Sequence, residues 1–482
     1  MPEQDPPIAP ETPETLGSTP DGRRPLKARL ILAFALHFLV LGSWYCLRPL
    51  REEIATFDPD VIAKLWTRGF LVMLVLSPMF AFAARHLKRK ALCAGTYFVL
   101  ISALIGFAVL LPNLGSAEVG PDGQPLAASR ARVLAEQALY VFMSMYTLFA
   151  VSVMWSYLAD VFRSEEASRW FGPIAAAGTL GGLAASKAME FLPLHFELNQ
   201  LLWLPAGLLT AAALGILFVD HGPSTVGDDR PPGKGVLAGI GVVFRSKTLL
   251  AIVLYMVLAS VAGAFRYQIQ STILNEAITD RGERTSFYAG INTWTNGYAL
   301  LSQLFLSAWL MKRIGVGFTL AALPIVAGLV FATLGGLQAA GLESEALLPV
   351  LFVATVAWRG TSYSLSKPTK EFLFTLVSRE QKFASKNFID TVVYRGGDSA
   401  GANAVDAGKG WLEVHRPTWL AGGALAFAGI PVIALWIVAA LMLGRLVKHR
   451  RPRPSSRDRG DSSARSGLSG TDDPESDEQH TA

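Results

Sequence analysis

Leu30–Leu47 reads LILAFALHFLVLGSWYCL, and within it only His37 is strongly polar. A helix needs about 20 consecutive apolar residues to cross the hydrocarbon core of a bilayer, and this block is of that order. Similar blocks recur along the chain. Half of the residues are hydrophobic (51%) and only 17% are charged, whereas a soluble domain carries roughly 25% charged residues. Mean hydropathy is positive. The lipid bilayer is therefore the expected surrounding of this chain. Some 29 residues precede the block and no small-residue cleavage site follows it, so it is read as an uncleaved anchor.

Working outward, the apolar pattern predicts membrane helices at about 30–47, 61–84, 91–111, 134–158, 170–192, 198–219, 249–274, 287–311, 317–340, 346–365, 386–408 and 420–444. The fold class that follows is an all-α transmembrane bundle of twelve helices. Residues 1–29 are rich in Pro, Glu and Thr and end in Arg23, Arg24, Lys27 and Arg29. They are expected to form a disordered cytoplasmic tail. Residues 30–219 and 249–444 form two six-helix halves, 220–248 a Pro-punctuated cytoplasmic linker, and 445–482 a solvated, charged tail. Lys and Arg orient the bundle. Arg85, Lys88, Arg89, Lys90, Arg230, Lys234, Arg245, Lys247, Lys312, Arg313, Lys367, Lys370, Arg379 and Lys382 fall on the side of the tails. Arg48, Arg51, Arg130, Arg132, Arg281, Arg284, Lys409 and Arg416 fall opposite. The positive-inside rule then places both termini in the cytoplasm. The basic balance reports topology and not nucleic-acid binding, because no RNA- or DNA-reading aromatic cluster goes with it.

An internal echo points to duplication. Ala167-Ser168-Arg169-Trp170-Phe171 follows the fourth predicted helix, and Ala384-Ser385-Lys386-Asn387-Phe388 follows the tenth. Parallel repeats of six helices are the arrangement of major-facilitator transporters.

Charges where hydrocarbon should be carry the chemistry. Lys187, Glu190, Arg266, Arg359, Asp390, Arg395 and Asp398 lie in or at the edges of apolar segments. Each costs roughly 2.5–3.5 kcal/mol near the bilayer centre, so each must face protein or water. They either lock the bundle as ion pairs or line a path. The balance favours arginine, whose planar fork suits phosphate and carboxylate oxygens. Asp390, Tyr394 and Asp398 are spaced i, i+4, i+8 and are expected to share one stripe, with Arg395 close enough to pair with Asp398. This stripe is either a self-neutralised interface or a gate, and Lys187 is set with the gating or orienting group. Gly178-Thr179-Leu180-Gly181-Gly182 is read as helix packing.

Other chemistry has no signature. No GxxxxGK[ST] occurs, so nothing suggests a P-loop ATPase. No histidine–carboxylate cluster suggests a metal, no cofactor motif is present, and no serine–histidine pairing suggests a hydrolase. Catalytic residues are not expected, and neither Cys46 nor Cys93 has metal-ligand spacing. Two rival readings remain: a proton-coupled exporter titrating Glu136 or Asp390, and a non-transporting sensor or scaffold.

Several motifs are familiar. Tyr45-Cys46-Leu47-Arg48-Pro49-Leu50-Arg51-Glu52, Trp155-Ser156-Tyr157-Leu158-Ala159-Asp160-Val161-Phe162 with Glu165-Glu166-Ala167-Ser168-Arg169, and Lys367-Pro368-Thr369-Lys370-Glu371-Phe372-Leu373-Phe374-Thr375 stand in this order. They continue through Lys386-Asn387-Phe388-Ile389-Asp390 to Tyr394-Arg395-Gly396-Gly397-Asp398. Together they resemble the ATP/ADP translocase family of bacterial and plastid nucleotide transporters. The resemblance implies a major-facilitator-like fold and exchange of ATP for ADP, with other nucleotides or phosphate as variants. A bacterial inner membrane is the expected location and a monomer the expected state. The resemblance also implies phosphate contacts at Arg48, Arg51 and Arg395, with Asp390 and Asp398 as gating or orienting partners. Arg266 and Arg359 join the substrate-binding set by the charge argument alone.

Overall fold

The computed structural model describes residues 25–115, 130–162, 164–218, 238–305, 310, 313–374, 385, 388–415 and 423–448. Among these residues there is no strand, and twelve long helices follow one another. They are α1 Leu26–Phe57, α2 Ile62–His86, α3 Arg89–Leu110, α4 Arg130–Val161, α5 Ser164–Ala188, α6 Trp203–Phe218, α7 Lys247–Ala277, α8 Arg281–Phe305, α9 Gly315–Ala339, α10 Ser344–Thr361, α11 Tyr394–His415 and α12 Ala424–Lys448. A π turn, Ser362–Ser366, carries α10 on into the short helix Lys367–Leu373, and a second π turn, Ile389–Val393, leads into α11. Single π turns are rare and cluster at functional sites.

Eight of these segments are long and apolar enough to cross a membrane by themselves. The other four, α5, α8, α10 and α11, lie against neighbours. Helix α8 packs on α1, α5 and α10, while α11 lies between α2 and α7. Polar residues that lipid would reject are accepted there because protein covers them.

Two hydrophobic cores divide the bundle. One draws on residues from Ala33 to Ile216, joined by Tyr267 and Ala289, and the other on residues from Val243 to Val447. Packing neighbours repeat at an offset of six helices. Helix α1 touches α4, α5 and α6 as α7 touches α10, α11 and α12, and α3 meets α6 as α9 meets α12. The two halves join where α1 and α5 meet α8 and where α2 meets α11. A small apolar cluster of Ala63, Ala264, Ala402 and Val405 seals the second seam.

The glycine run on α5 packs as expected. A Cβ at Gly181 would lie 2.1 Å from the Phe38 carbonyl oxygen, one at Gly178 2.4 Å from the His37 ring, and one at Gly182 2.6 Å from the Tyr45 ring. The backbones of α1 and α5 meet this closely because no side chain intervenes.

Some boundaries differ from expectation. Helix α1 does not stop at Leu47. It runs on through Arg48, Pro49, Arg51, Glu52 and Glu53 to Phe57. Arg48 and Arg51, expected in a loop facing the far side, are therefore inside the bundle. The apolar pattern ends at the first charge, but the helix continues because those charges find partners in protein. Helices α5 and α8 each begin six residues earlier than expected, at Ser164 and Arg281. Helix α1 begins at Leu26 and α12 ends at Lys448, so each expected tail is shorter by about one turn. Residues 1–24, 219–237 and 449–482 lie outside the described residues. So do Lys312, Arg379, Lys382, Lys386, Asn387 and Arg416.

Candidate functional site

The middle of α1 supplies the first half of the site. Arg48 and Glu52 stand one turn apart on the same face, and both are buried, at 8% and 2% exposure. Arg48 Nη2 donates to the Tyr363 hydroxyl at 2.7 Å, and its guanidinium lies 5.7 Å from the centres of both the Tyr45 and Tyr363 rings. Arg51 is held between the Trp44 and Tyr140 rings and donates from Nη2 to Glu52 Oε1 at 3.2 Å.

The second half comes from α7, α8 and α10. Arg359 reaches the same Glu52 Oε1 from Nη2 at 3.2 Å, and its Nη1 donates to Asn292 Oδ1 at 3.2 Å. Arg266 donates to Gln270 and stacks over Trp358. Arg48 and Arg266 both bear electrostatically on Glu52, and Arg266 bears on Arg359. Four guanidiniums, two from each half, thus surround one carboxylate. Arg51 Nε, Arg266 Nε, Asn292 Nδ2 and Asn296 Nδ2 are buried donors with no protein partner. Buried donors ordinarily find acceptors, so these groups can still donate to an acceptor-rich molecule placed between the halves.

A basic path leads from this centre along α10 and α11. Lys367 Nζ sits 4.1 Å from the Tyr363 ring centre, and Lys370 pairs with Asp390 at 3.2 Å. Arg395 lies over Tyr394, and Arg51 reaches electrostatically to Tyr394 and Asp398. Tyr394 is 41% exposed although Arg51, Tyr363, Arg395 and Asp398 stand around it, as befits a side chain on the wall of an opening. The single stripe expected of Asp390, Tyr394 and Asp398 is broken by the π turn. Its i→i+5 winding shifts the register between Asp390 and Tyr394, so Asp390 turns to Lys370 while Tyr394 and Asp398 stay with the arginines.

Among the expected site residues, Arg48, Arg51, Arg266 and Arg359 meet at the centre, and Arg395, Tyr394 and Asp398 lie beside it. Lys187 does not join them. It is 58% exposed, pairs with Glu190 at 2.7 Å and covers the Phe191 ring. Glu190 in turn accepts from Thr293 of α8 at 2.6 Å.

A second charged group, at the end of the bundle opposite the tails, is absent from the expected set. Arg281, in the first turn of α8, grips Glu53 of α1 through Nε and Nη2, both at 2.8 Å, and Glu136 of α4 through Nη2 at 2.8 Å. Arg284 donates to Glu53 Oε1 at 3.1 Å, and Arg132 donates to Glu136 Oε1 at 2.7 Å. This network ties the two halves together. Nearby, Thr56 meets the Tyr288 hydroxyl at 2.5 Å and Lys409 pairs with Asp60 at 2.8 Å. Glu136, one candidate for proton coupling, has both oxygens engaged by arginines. Glu52 and Glu53 follow the quoted arginines directly, but nothing in the sequence says which faces the centre. Among the described residues no cluster of His, Cys, Asp or Glu is placed to hold a metal ion.

No family model matches the chain. It is similar to ADP,ATP carrier protein 1 of Chlamydia muridarum, with 22% identity over 413 residues covering 78% of this chain and 74% of that protein. The carrier of the same name from Chlamydia pneumoniae is 26% identical over 174 residues, covering 34% of this chain and 33% of its own. Among solved structures, the nucleoside transporter NupG aligns with a TM-score of 0.60 at 13% identity, covering 88% of this chain and 99% of its own. The D-xylose-proton symporter aligns with a TM-score of 0.57 at 12% identity, covering 89% of this chain and 98% of its own. The resemblance seen in the motifs thus extends along most of the chain. The fold is the twelve-helix major-facilitator-like bundle of two six-helix halves, and the protein is a multi-pass membrane protein built as a transporter.

Proposed function

We propose that the protein exchanges phosphorylated anions, nucleotides of the ATP and ADP kind, across a bacterial cytoplasmic membrane by alternating access. The observation that carries this reading is the convergence of Arg48, Arg51, Arg266 and Arg359 from both halves on one buried carboxylate. Guanidinium forks bind phosphoryl oxygens bidentately, and a site shared by two halves is the place that alternating access exposes to each side in turn. Tyr45, Tyr363 and Tyr394 offer aromatic surface beside the arginines, which suits a guest with a ring as well as phosphates. Similarity to carriers named for ADP and ATP supports the same class.

Uptake of labelled ATP into proteoliposomes loaded with ADP tests the reading. Exchange is expected with ADP inside, and little uptake with empty vesicles or with uncharged adenosine as the label. Folded protein that moves none of ATP, ADP or phosphate would end the nucleotide reading.

The division proposed is the expected one, 30–219 and 249–444 joined by a cytoplasmic linker 220–248, with α1, α7 and α12 extending each half by two to four residues. Lys and Arg placement favours both tails inside, and on that orientation the Arg281 network joins the two halves at the outer end. A reporter fused after Arg313 should register cytoplasmic and one fused after Thr279 external. Reversed labelling at both would invert the bundle.

A further inference from the structure

Glu52 and Glu53 are adjacent on α1, nearly equally buried, and paired with arginines in opposite styles. Glu53 is fully engaged: Oε1 accepts from Arg281 at 2.8 Å and Arg284 at 3.1 Å, and Oε2 accepts from Arg281 at 2.8 Å. Glu52 is not. Its Oε1 shares two donors, Arg51 and Arg359, both at 3.2 Å, and Oε2 has no protein partner. Charge-assisted nitrogen–oxygen bonds ordinarily run about 2.7–2.9 Å, so the grip on Glu52 is loose. Meanwhile the guanidiniums around it hold unused donors at Arg51 Nε and Arg266 Nε. A carboxylate with one idle oxygen sits among idle N–H groups that it does not reach.

We infer that Glu52 is a resident competitor for the anion site: its carboxylate occupies the guanidiniums between the halves when no guest is bound, and a phosphoryl group displaces it from Arg51 and Arg359. This inference rests on reading the cluster as an anion site. A phosphoryl group brings three oxygens in a tetrahedral spread, and can engage donors that a planar carboxylate leaves idle. The competitor serves two ends. Without a guest it offsets repulsion among four buried cations, for which it is the counter-charge in direct contact with Arg51 and Arg359. With a guest bound it adds like-charge repulsion beside the phosphate and caps the affinity. A carrier that holds its cargo too firmly cannot release it on the other side, since tight binding of the resting complex deepens the well that turnover must climb from. Glu52 is therefore an affinity-setting residue whose role is to weaken binding to a usable strength.

The test compares wild type with Glu52→Gln and Glu52→Asp as purified full-length protein. Binding of ATP, pyrophosphate and inorganic phosphate is measured directly, and exchange is measured in proteoliposomes. Glu52→Gln should bind ATP and pyrophosphate roughly tenfold tighter, the share of one charge-assisted contact no longer competed for. Its maximal exchange rate should fall together with its KM. Glu52→Asp keeps the charge on a shorter arm and should lie between the two. A plain structural strut predicts the opposite: folded Glu52→Gln binds no more tightly than wild type, and that result overturns the inference. Where Glu52→Gln fails to fold, weaker or unchanged binding by Glu52→Asp overturns it equally. Tighter pyrophosphate binding by the variant, with no ATP bound by either protein, would uphold the competitor and sink the nucleotide reading. No anion bound by any of the three would sink both.

Discussion

Replacing Arg359 by glutamine is expected to cut anion exchange by one to two orders of magnitude while the protein folds as before. Arg359 is 6% exposed and touches Glu52 and Asn292. A hydrogen bond to a charged group contributes about 1.5–3 kcal/mol net, and each 1.4 kcal/mol is about tenfold in affinity. Truncating one partner of a buried pair usually costs about 3–5 kcal/mol because the other charge is stranded. Here it is not stranded, since Glu52 keeps Arg51 and remains within the field of Arg48 and Arg266. Removing one of several mutually repelling cations also offsets part of the loss. Folding should therefore survive, and the defect should appear as a raised KM. Arg359→Lys retains the charge without the planar fork and should recover only part of the activity. The check is exchange in proteoliposomes beside the yield of monodisperse protein in detergent. Loss of folded protein with no separable transport defect would make Arg359 a strut.

Four of the five candidate binding arginines met at one point although they lie far apart in sequence, and the reason is physical. A cation in an apolar segment is too costly to face lipid, so interior placement could be read from each residue singly. The pairing could not. Glu52 followed directly on Arg51, yet the apolar pattern ended the first helix at Leu47, five residues short of it. Hydropathy treats every charge as an end signal, and it cannot register that α1 meets compensating charges from α10. The same rule counted Arg281 and Arg284 as surface charges of a loop. They begin α8 instead, 228 and 231 residues from the glutamate they hold. No local spacing announces a bond over that distance. The π turn before α11 was hidden for another reason. Ile389–Val393 carries no proline or glycine, so the i, i+4, i+8 pattern runs through it unbroken. Lys187 shows the converse limit, since a charge at a helix edge can reach solvent and needs no interior partner.

The outer network gives the other large effect. Arg281→Gln is expected to weaken closure of the end opposite the tails and to move the conformational balance toward the form open there. In the present form Arg281 bonds two carboxylates of the other half at once. Glu53 keeps Arg284 and Glu136 keeps Arg132 after the change, so neither carboxylate is abandoned. What goes is the contact that crosses from α8 to α4, along with the bidentate clasp on α1. Taking about 3 kcal/mol for that loss, from the range for hydrogen bonds between charged groups, the equilibrium shifts by roughly a hundredfold. A conformer held at about one per cent would then become comparable with its rival. Arg281→Lys, with one ammonium in place of the fork, should fall between the two. Fluorophores on Asn113→Cys and Ala340→Cys, exposed positions at this end of each half, report the separation. Both native cysteines are buried and should take no label. A longer, broader separation in Arg281→Gln is the expected result. An unchanged distribution, in detergent and in vesicles alike, would show that Arg281 does not hold the halves together, and the remaining contacts of α8 with α1 and α5 and the seam between α2 and α11 would have to carry the closure.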